Sequence, residues 1–193
     1  MEYRVTANEL QQTLASWDVL FPGRGTIHLV ACGGTALSLL GYKESTKDVD
    51  FLVPHEKEYE RLVKFLTRAG YERVTGEGWK RPDEAIRYDV YLGKRVFQTE
   101  LLNSPLDQKG HQPIWEGKKI HLSVLNAADL IITKLFRGTE QDVEDCITLR
   151  THEAVNLQAL EARYRETARY EISEGRVIKN LERFLAKVRG RHR

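Results

Sequence analysis

Ala31-Cys32-Gly33-Gly34-Thr35-Ala36-Leu37 and, with thirteen residues between Gly34 and Asp48, Asp48-Val49-Asp50-Phe51-Leu52-Val53 are the segments that decide the fold. Ile27 to Cys32 is short, mostly apolar and rich in β-formers, which predicts a buried strand. Gly33 and Gly34 end that strand, and Thr35 to Leu40 can start a helix at once. Two glycines between a strand and a helix let the backbone approach a ligand closely, and the helix N-terminus offers N–H groups that favour an anion. A triphosphate would be held there. Gly41 stops the helix, and Val49 to Val53 reads as a second strand. Asp48 and Asp50 lie two apart on it, so both carboxylates leave one face while Val49 faces the core. Paired hard oxygen ligands suit Mg²⁺ (or Mn²⁺), which keeps some waters while also binding phosphate oxygens.

Outward from this centre the pattern stays mixed. Thr6 with Glu9 forms a capping-box signature ahead of a helix over about 6–17. Tyr59, Leu62, Val63 and Leu66 share one face of a helix over 55–69, closed by Gly70. From Ile86 to Leu92 residues alternate, with Ile86, Tyr88, Val90 and Leu92 on one side and Arg87, Asp89 and Tyr91 on the other. A two-metal site needs a further carboxylate on a neighbouring strand, and Asp89 is the candidate. Three clustered carboxylates without a cation repel one another, so such a group reads as a site rather than as architecture. Val96 to Leu101 is expected to pair with the Asp89 strand across a Gly93-Lys94 turn. Residues 103–118, with two prolines and two glycines, read as the longest loop. After a strand near 119–124 the chain reads as helical over about 126–137, 140–150, 156–169 and 174–188. The expected fold class is α/β: a small mixed β-sheet core over 1–125 with flanking helices, and a C-terminal helical segment over 126–193.

Composition narrows the function. With 193 residues the chain fits one domain, and 41% hydrophobic with 30% charged residues excludes both a disordered chain and a membrane protein. No run approaches the roughly 20 apolar residues of a spanning helix, so a cytoplasmic location is expected. Cys32 and Cys146 lack CxxC spacing and read as reduced core thiols. His28, His55, His111, His121, His152 and His192 show no metal-ligand spacing, so no zinc site is expected. A net charge of +2 does not make the whole molecule a glove for nucleic acid. The basic end, Lys187 to Arg193, suits a solvated helix terminus, with contact to RNA as the alternative. P-loop, hydrolase and dinucleotide-fold signatures are absent.

The glycine pair followed at this distance by Asp48-Val49-Asp50 with apolar flanks resembles the signature of the DNA polymerase β-like nucleotidyltransferase superfamily. Within it, the segments GGTALSLLG and STKDVDFLV, with Asp129, Leu130 and Lys134 on one later helix and Asp142 and Asp145 on the next, are similar to AbiEii-type and related toxin-associated nucleotidyltransferases. The resemblance covers about 27–148. It implies that Gly33, Gly34 and Thr35 contact nucleotide phosphates and that Asp48, Asp50 and Asp89 are the catalytic, metal-binding carboxylates. Lys134 would reach the triphosphate, with Asp145 or Asp142 orienting it. The implied reaction moves a nucleoside monophosphate from an NTP to an acceptor hydroxyl on RNA, tRNA or protein, with a cognate antitoxin as a possible partner.

Other readings attach to the same residues. Asp89 also fits a strand acid paired with Arg87 or Lys94, Lys134 a snorkelling lysine, and Arg137, Asp142 and Asp145 ordinary helix ion pairs. At the level of the whole chain, the alternatives are a non-catalytic nucleotide- or RNA-binding partner of the same fold, and an aminoglycoside-type nucleotidyltransferase acting on a small molecule.

Overall fold

Thr6 accepts from the Glu9 N–H while the Glu9 carboxylate accepts from the Thr6 N–H, and this reciprocal cap starts the first helix. The computed structural model describes residues 3–107 and 110–190. The first half runs β1 (Val5–Thr6), α1 (Ala7–Leu20), β2 (Ile27–Ala31), α2 (Gly33–Leu39), β3 (Ser45–Thr46), β4 (Asp48–Val53) and α3 (Glu56–Arg68). Then come β5 (Glu72–Arg73), β6 (Gly78–Lys80), β7 (Arg87–Leu92), β8 (Arg95–Val96), β9 (Thr99–Glu100), β10 (His111–Glu116) and β11 (Ile120–Leu125). Four helices follow: α4 (Ala127–Arg137), α5 (Glu140–His152), α6 (Leu157–Ala168) and α7 (Glu174–Gly190). Among the described residues, no helix is long and apolar enough to cross a membrane.

The main sheet is mixed and ordered β10-β11-β2-β4-β7-β6-β5. β2 lies parallel to β11 and antiparallel to β4, and β4 lies parallel to β7. The glycine-turn strand and both acidic strands are thereby central, where neighbours on each side hold them in register. Strand alternation sends Tyr88 to the face opposite Asp89. There it meets Trp17 of α1, with ring centroids 4.9 Å apart, and Tyr71, at 5.6 Å. Phe65 of α3 closes the same cluster against Trp17. Edge-on aromatic pairs of this kind add about 0.5–1.5 kcal/mol each beyond area burial. One buried hydrophobic cluster runs from Val5 through the sheet to Val188 on α7, so the core is continuous across residue 125.

Two local expectations are overturned. Residues 103–118 are not all loop, because β10 lies within them and pairs antiparallel with β11. Pro113 sits where the pairing register shifts on an edge strand, the one place in a sheet where a missing N–H costs little. Nor does 96–101 pair with the Asp89 strand. β8 and β9 pair with each other in a separate ribbon, while Gly93, at φ 77°, turns the chain and donates its N–H to Val53. α2 also starts at Gly33, two residues earlier than expected, so both glycines lie in its first turn.

The helical segment is bound to itself by polar contacts at chain ends. Arg176 and Asn180 of α7 donate to the Phe136 and Leu135 carbonyls at the end of α4, and Arg183 donates to Gly138 just beyond it. These are carbonyls that an α-helix cannot satisfy internally at its own C-terminus. Of the basic end, Lys187 pairs with Glu140 and Glu144 of α5, and Arg191, His192 and Arg193 lie outside the described residues.

Candidate active site

Gly33 adopts φ 58°, and a Cβ there would run into the Asp50 carboxylate. At Gly34 a Cβ would come within 2.8 Å of the Thr46 hydroxyl oxygen. Both glycines therefore exist so that the turn can sit directly against the acidic strand. Thr35, expected to contact nucleotide phosphates, has its side chain engaged with the acidic strand. Its fully buried hydroxyl donates to the Asp48 carbonyl (3.2 Å) and accepts from the Asp50 N–H (2.9 Å), so it braces β4. Cys32 adds a backbone bond to the Asp50 carbonyl at 3.1 Å.

Asp50 and Asp89 are direct register partners on the parallel β4–β7 pair, and Asp48 faces Arg87 one pleat away. Partners in register point to the same face, so all three carboxylates converge. Asp50 and Asp89 are each only 6% exposed, while Asp48 opens towards solvent. Arg87 spans the group, 3.2 Å from Asp48 and 3.0 Å from Asp89. Burial pushes the Asp50 carboxyl up to about 8, and the charges of Asp89 and Asp48 push the same way. Asp89 is also raised, chiefly by burial, against the opposing pull of Arg87. Arg87 is thus a salt-bridge partner of Asp89, as the plainer reading held, and a partner of Asp48 as well; Lys94 pairs with Glu100 instead.

A cationic wall faces this group across a cleft of about 380 Å³ lined by Gly34, Lys43, Asp48, Asp50, Lys134 and Arg137, among others. Lys134 is 4% exposed and lies 2.7 Å from Asp145 and 3.7 Å from Asp142. Lys43 reaches the same Asp145 oxygen at 2.9 Å, and Gln141 donates to the other oxygen at 2.9 Å. Asp142 caps α5 through Thr139 and takes two donors from Arg137, so both lone-pair sets are used. Burial alone would raise Asp142 and Asp145, yet Arg137 and Thr139 in one case and Lys134 and Lys43 in the other hold both below the usual carboxylate range. A second cavity, about 540 Å³, adjoins the first and is lined by Glu77, Tyr91, Phe97, Thr133 and Arg176, with Arg137 forming the wall between the two.

A family described as "Nucleotidyltransferase of unknown function (DUF6036)" matches residues 8–192. The chain belongs to this nucleotidyltransferase family. In fold, this DUF6036 nucleotidyltransferase is similar to the antibiotic-resistance factor ANT(2″)-Ia. The crystal structure of that protein in complex with adenylyl-2″-tobramycin aligns at TM-score 0.56 and 13% identity over 85% of this chain and 98% of that one. Its solution structure aligns at TM-score 0.51 and 14% identity over 96% and 92%. MenT4, a nucleotidyltransferase toxin from Mycobacterium tuberculosis, aligns at TM-score 0.46 and 19% identity over 82% of this chain and 62% of that one. No curated protein matches in sequence.

Among the residues that the sequence singled out in this DUF6036 nucleotidyltransferase, the structure brings Gly33, Gly34, Asp48, Asp50 and Asp89 together on one side. It sets Lys134 and Asp145 opposite. Lys43 was missed, although it stands in the polar turn between Gly41 and the acidic strand where a loop cation has short access to the glycine turn. Arg4 was missed too; it donates to Ser45 and lines the same cleft from the start of the chain, a contact across 41 residues with no local signal.

Proposed function

We propose that the protein transfers a nucleoside monophosphate from an NTP to an acceptor hydroxyl, with Asp48, Asp50 and Asp89 holding divalent Mg²⁺ or Mn²⁺. The register match of Asp50 with Asp89 beside the Gly33 turn carries this reading. The donor set fits such an ion. It consists of carboxylate oxygens, two of them buried and destabilised by mutual repulsion, with Arg87 in ion-pair contact with Asp48 and Asp89 and with Arg137 and Lys134 acting on Asp50 from across the cleft. When bound, the divalent charge lowers the pKa of the acceptor hydroxyl and offsets the charge of the leaving pyrophosphate.

The chain's own groups supply the rest. Gly33 and Gly34 leave room for phosphate oxygens against the backbone, and Thr35 keeps Asp48 and Asp50 at fixed height by bonding to β4. Lys134 and Lys43, oriented by the shared Asp145 carboxylate, offer ammonium charge to the β- and γ-phosphates, with Arg137 alongside. Asp145 therefore acts by positioning, since both its oxygens are already occupied. The acceptor oxygen attacks the α-phosphorus, the bond to the β-phosphate oxygen breaks, and the acceptor proton passes to Asp89, which stands beside Asp50 on the neighbouring strand. No covalent enzyme intermediate is needed.

The test is incubation with each α-labelled NTP, Mg²⁺ or Mn²⁺, and a panel of acceptors: total RNA, tRNA, a protein lysate and tobramycin. Transfer of label by the wild type and not by Asp50→Ala is expected, and the labelled acceptor identifies the substrate class. Nucleotide binding with no transfer to any acceptor under either metal sinks the enzymatic reading and leaves a nucleotide-binding partner.

A further inference from the structure

Away from the carboxylate cleft, His28 at the start of β2 meets two side chains from a segment about thirty residues further on. The parallel register of β2 and β11 sets His28 beside His121, with ring centroids 5.2 Å apart and edge to face. The short link from β4 into α3 brings His55, the N-cap residue of α3, and Glu58 to the same place. Glu58 accepts from the His28 backbone N–H at 2.8 Å, which fixes the carboxylate. Its oxygens then lie 3.1 Å from His28 Nδ1 and 2.9 Å from His55 Nδ1.

These three ligand atoms all fall within 4.8 Å of one another. Four-coordinate zinc, with bonds of about 2.0–2.1 Å, wants ligand atoms about 3.3 Å apart. Two of the three edges are already at that length or shorter, so only the spacing between the two imidazoles has to close. Two imidazole nitrogens and one carboxylate suit a borderline transition ion and do not suit Mg²⁺, which prefers an all-oxygen shell. Glu58 is only 15% exposed in its side chain, whereas the rings are more open, so an ion has a route in from solvent. None of the three residues lines the cleft between Asp50 and Lys134.

We infer that His28, His55 and Glu58 form a binding site for Zn²⁺ or a similar transition ion, separate from the nucleotidyl-transfer site. A bound ion would tie the start of α3 to β2 and so act as a structural clamp. The proposal runs against the expectation, drawn from linear spacing, that no histidine here serves a metal.

The test is zinc uptake by the whole chain in excess Mg²⁺, read by equilibrium dialysis and by the visible spectrum of the Co²⁺ form. Asp50→Asn serves as the background that disables the carboxylate site. One zinc per chain is expected in both wild type and Asp50→Asn, with a rise in thermal midpoint on zinc addition. His28→Ala combined with His55→Ala should weaken uptake at least about 100-fold, given that losing even an outer-shell partner costs 10–100-fold. His55→Ala alone, at a half-exposed position, keeps the fold and should lose the strong four-coordinate Co²⁺ bands. Absence of zinc uptake, uptake unchanged in the double variant, or uptake abolished by Asp50→Asn alone each overturns the proposal.

Discussion

Two pairs of aspartates share this molecule, and both are buried: Asp50 with Asp89 on the sheet, and Asp142 with Asp145 on α5. Their fates are opposite. The helical pair meets Arg137, Lys134, Lys43 and a threonine cap, and both its members are held below the ordinary carboxylate range. The sheet pair faces itself across one register step with Arg87 as its nearest cation, and both its members are pushed up. Burial is common to the two and cannot be the distinction. Local compensation is, and the pair left short of positive charge is the one proposed above to hold a cation.

The largest effect that sharpens this contrast is on activity. Asp50→Asn should lower label transfer roughly 10³-fold, the scale of removing one electrostatic group from a preorganised site, while the protein stays folded. A variant that keeps near-normal turnover would break the division between the pairs. Next, Asp145→Ala should destabilise by about 3 kcal/mol, a drop in thermal midpoint of roughly 10 °C, because Lys134 stays buried without its main partner. Calorimetry showing no drop would mean that Asp142, 3.7 Å away, carries Lys134 unaided.

A pH series separates the pairs by sign. Asp50 titrates near 8 when folded against 3.8 as its reference value, so between these values the native state holds a proton that the unfolded chain lacks. Metal-free wild type should therefore lose stability as pH rises through that window, by up to about 6 kcal/mol, and Asp50→Asn should remove most of the slope. Asp142 and Asp145 are shifted down, so their contribution is present above the unfolded pKa and is lost only as pH falls through the lower folded value. Denaturant melts at several pH values in a chelator check both signs; a flat wild-type profile between about pH 4 and 8 refutes the sheet-pair half. The smallest effect is at Arg87. Arg87→Met should cost about 1 kcal/mol in the chelated protein, as expected for a half-exposed ion pair, and the loss should vanish in excess Mg²⁺. Equal losses with and without Mg²⁺ would show Arg87 to be purely structural.

Much of this centre was legible because it is local. Gly33-Gly34 and Asp48-Val49-Asp50 announce their own geometry through chain stiffness and strand parity, and parity also picked Asp89 out of an alternating run. The Thr6–Glu9 capping box gives the start of α1; Asn126, Thr139 and Asn156 cap α4, α5 and α6 in the structure by the same means, each side chain accepting a first-turn N–H. Contacts made only by tertiary assembly were hidden. Pro113 reads as a breaker because nothing in its neighbourhood says that its strand is an edge. Thr35 reads as a ligand contact because its partners, the Asp48 carbonyl and the Asp50 N–H, are backbone groups thirteen and fifteen residues on. His28 and Glu58 are thirty residues apart, and only the crossing from β4 into α3 closes that gap.

The bonds from α7 to the end of α4 bear on when the protein can first work. The helix that carries Lys134 has its final carbonyls satisfied by Arg176 and Asn180, side chains that leave the ribosome some forty residues after the helix itself. A nascent chain would thus possess its acidic strands well before the opposing lysine is firmly seated. Catalytic competence would arrive late in translation, and a chain interrupted before α7 would be an incomplete catalyst.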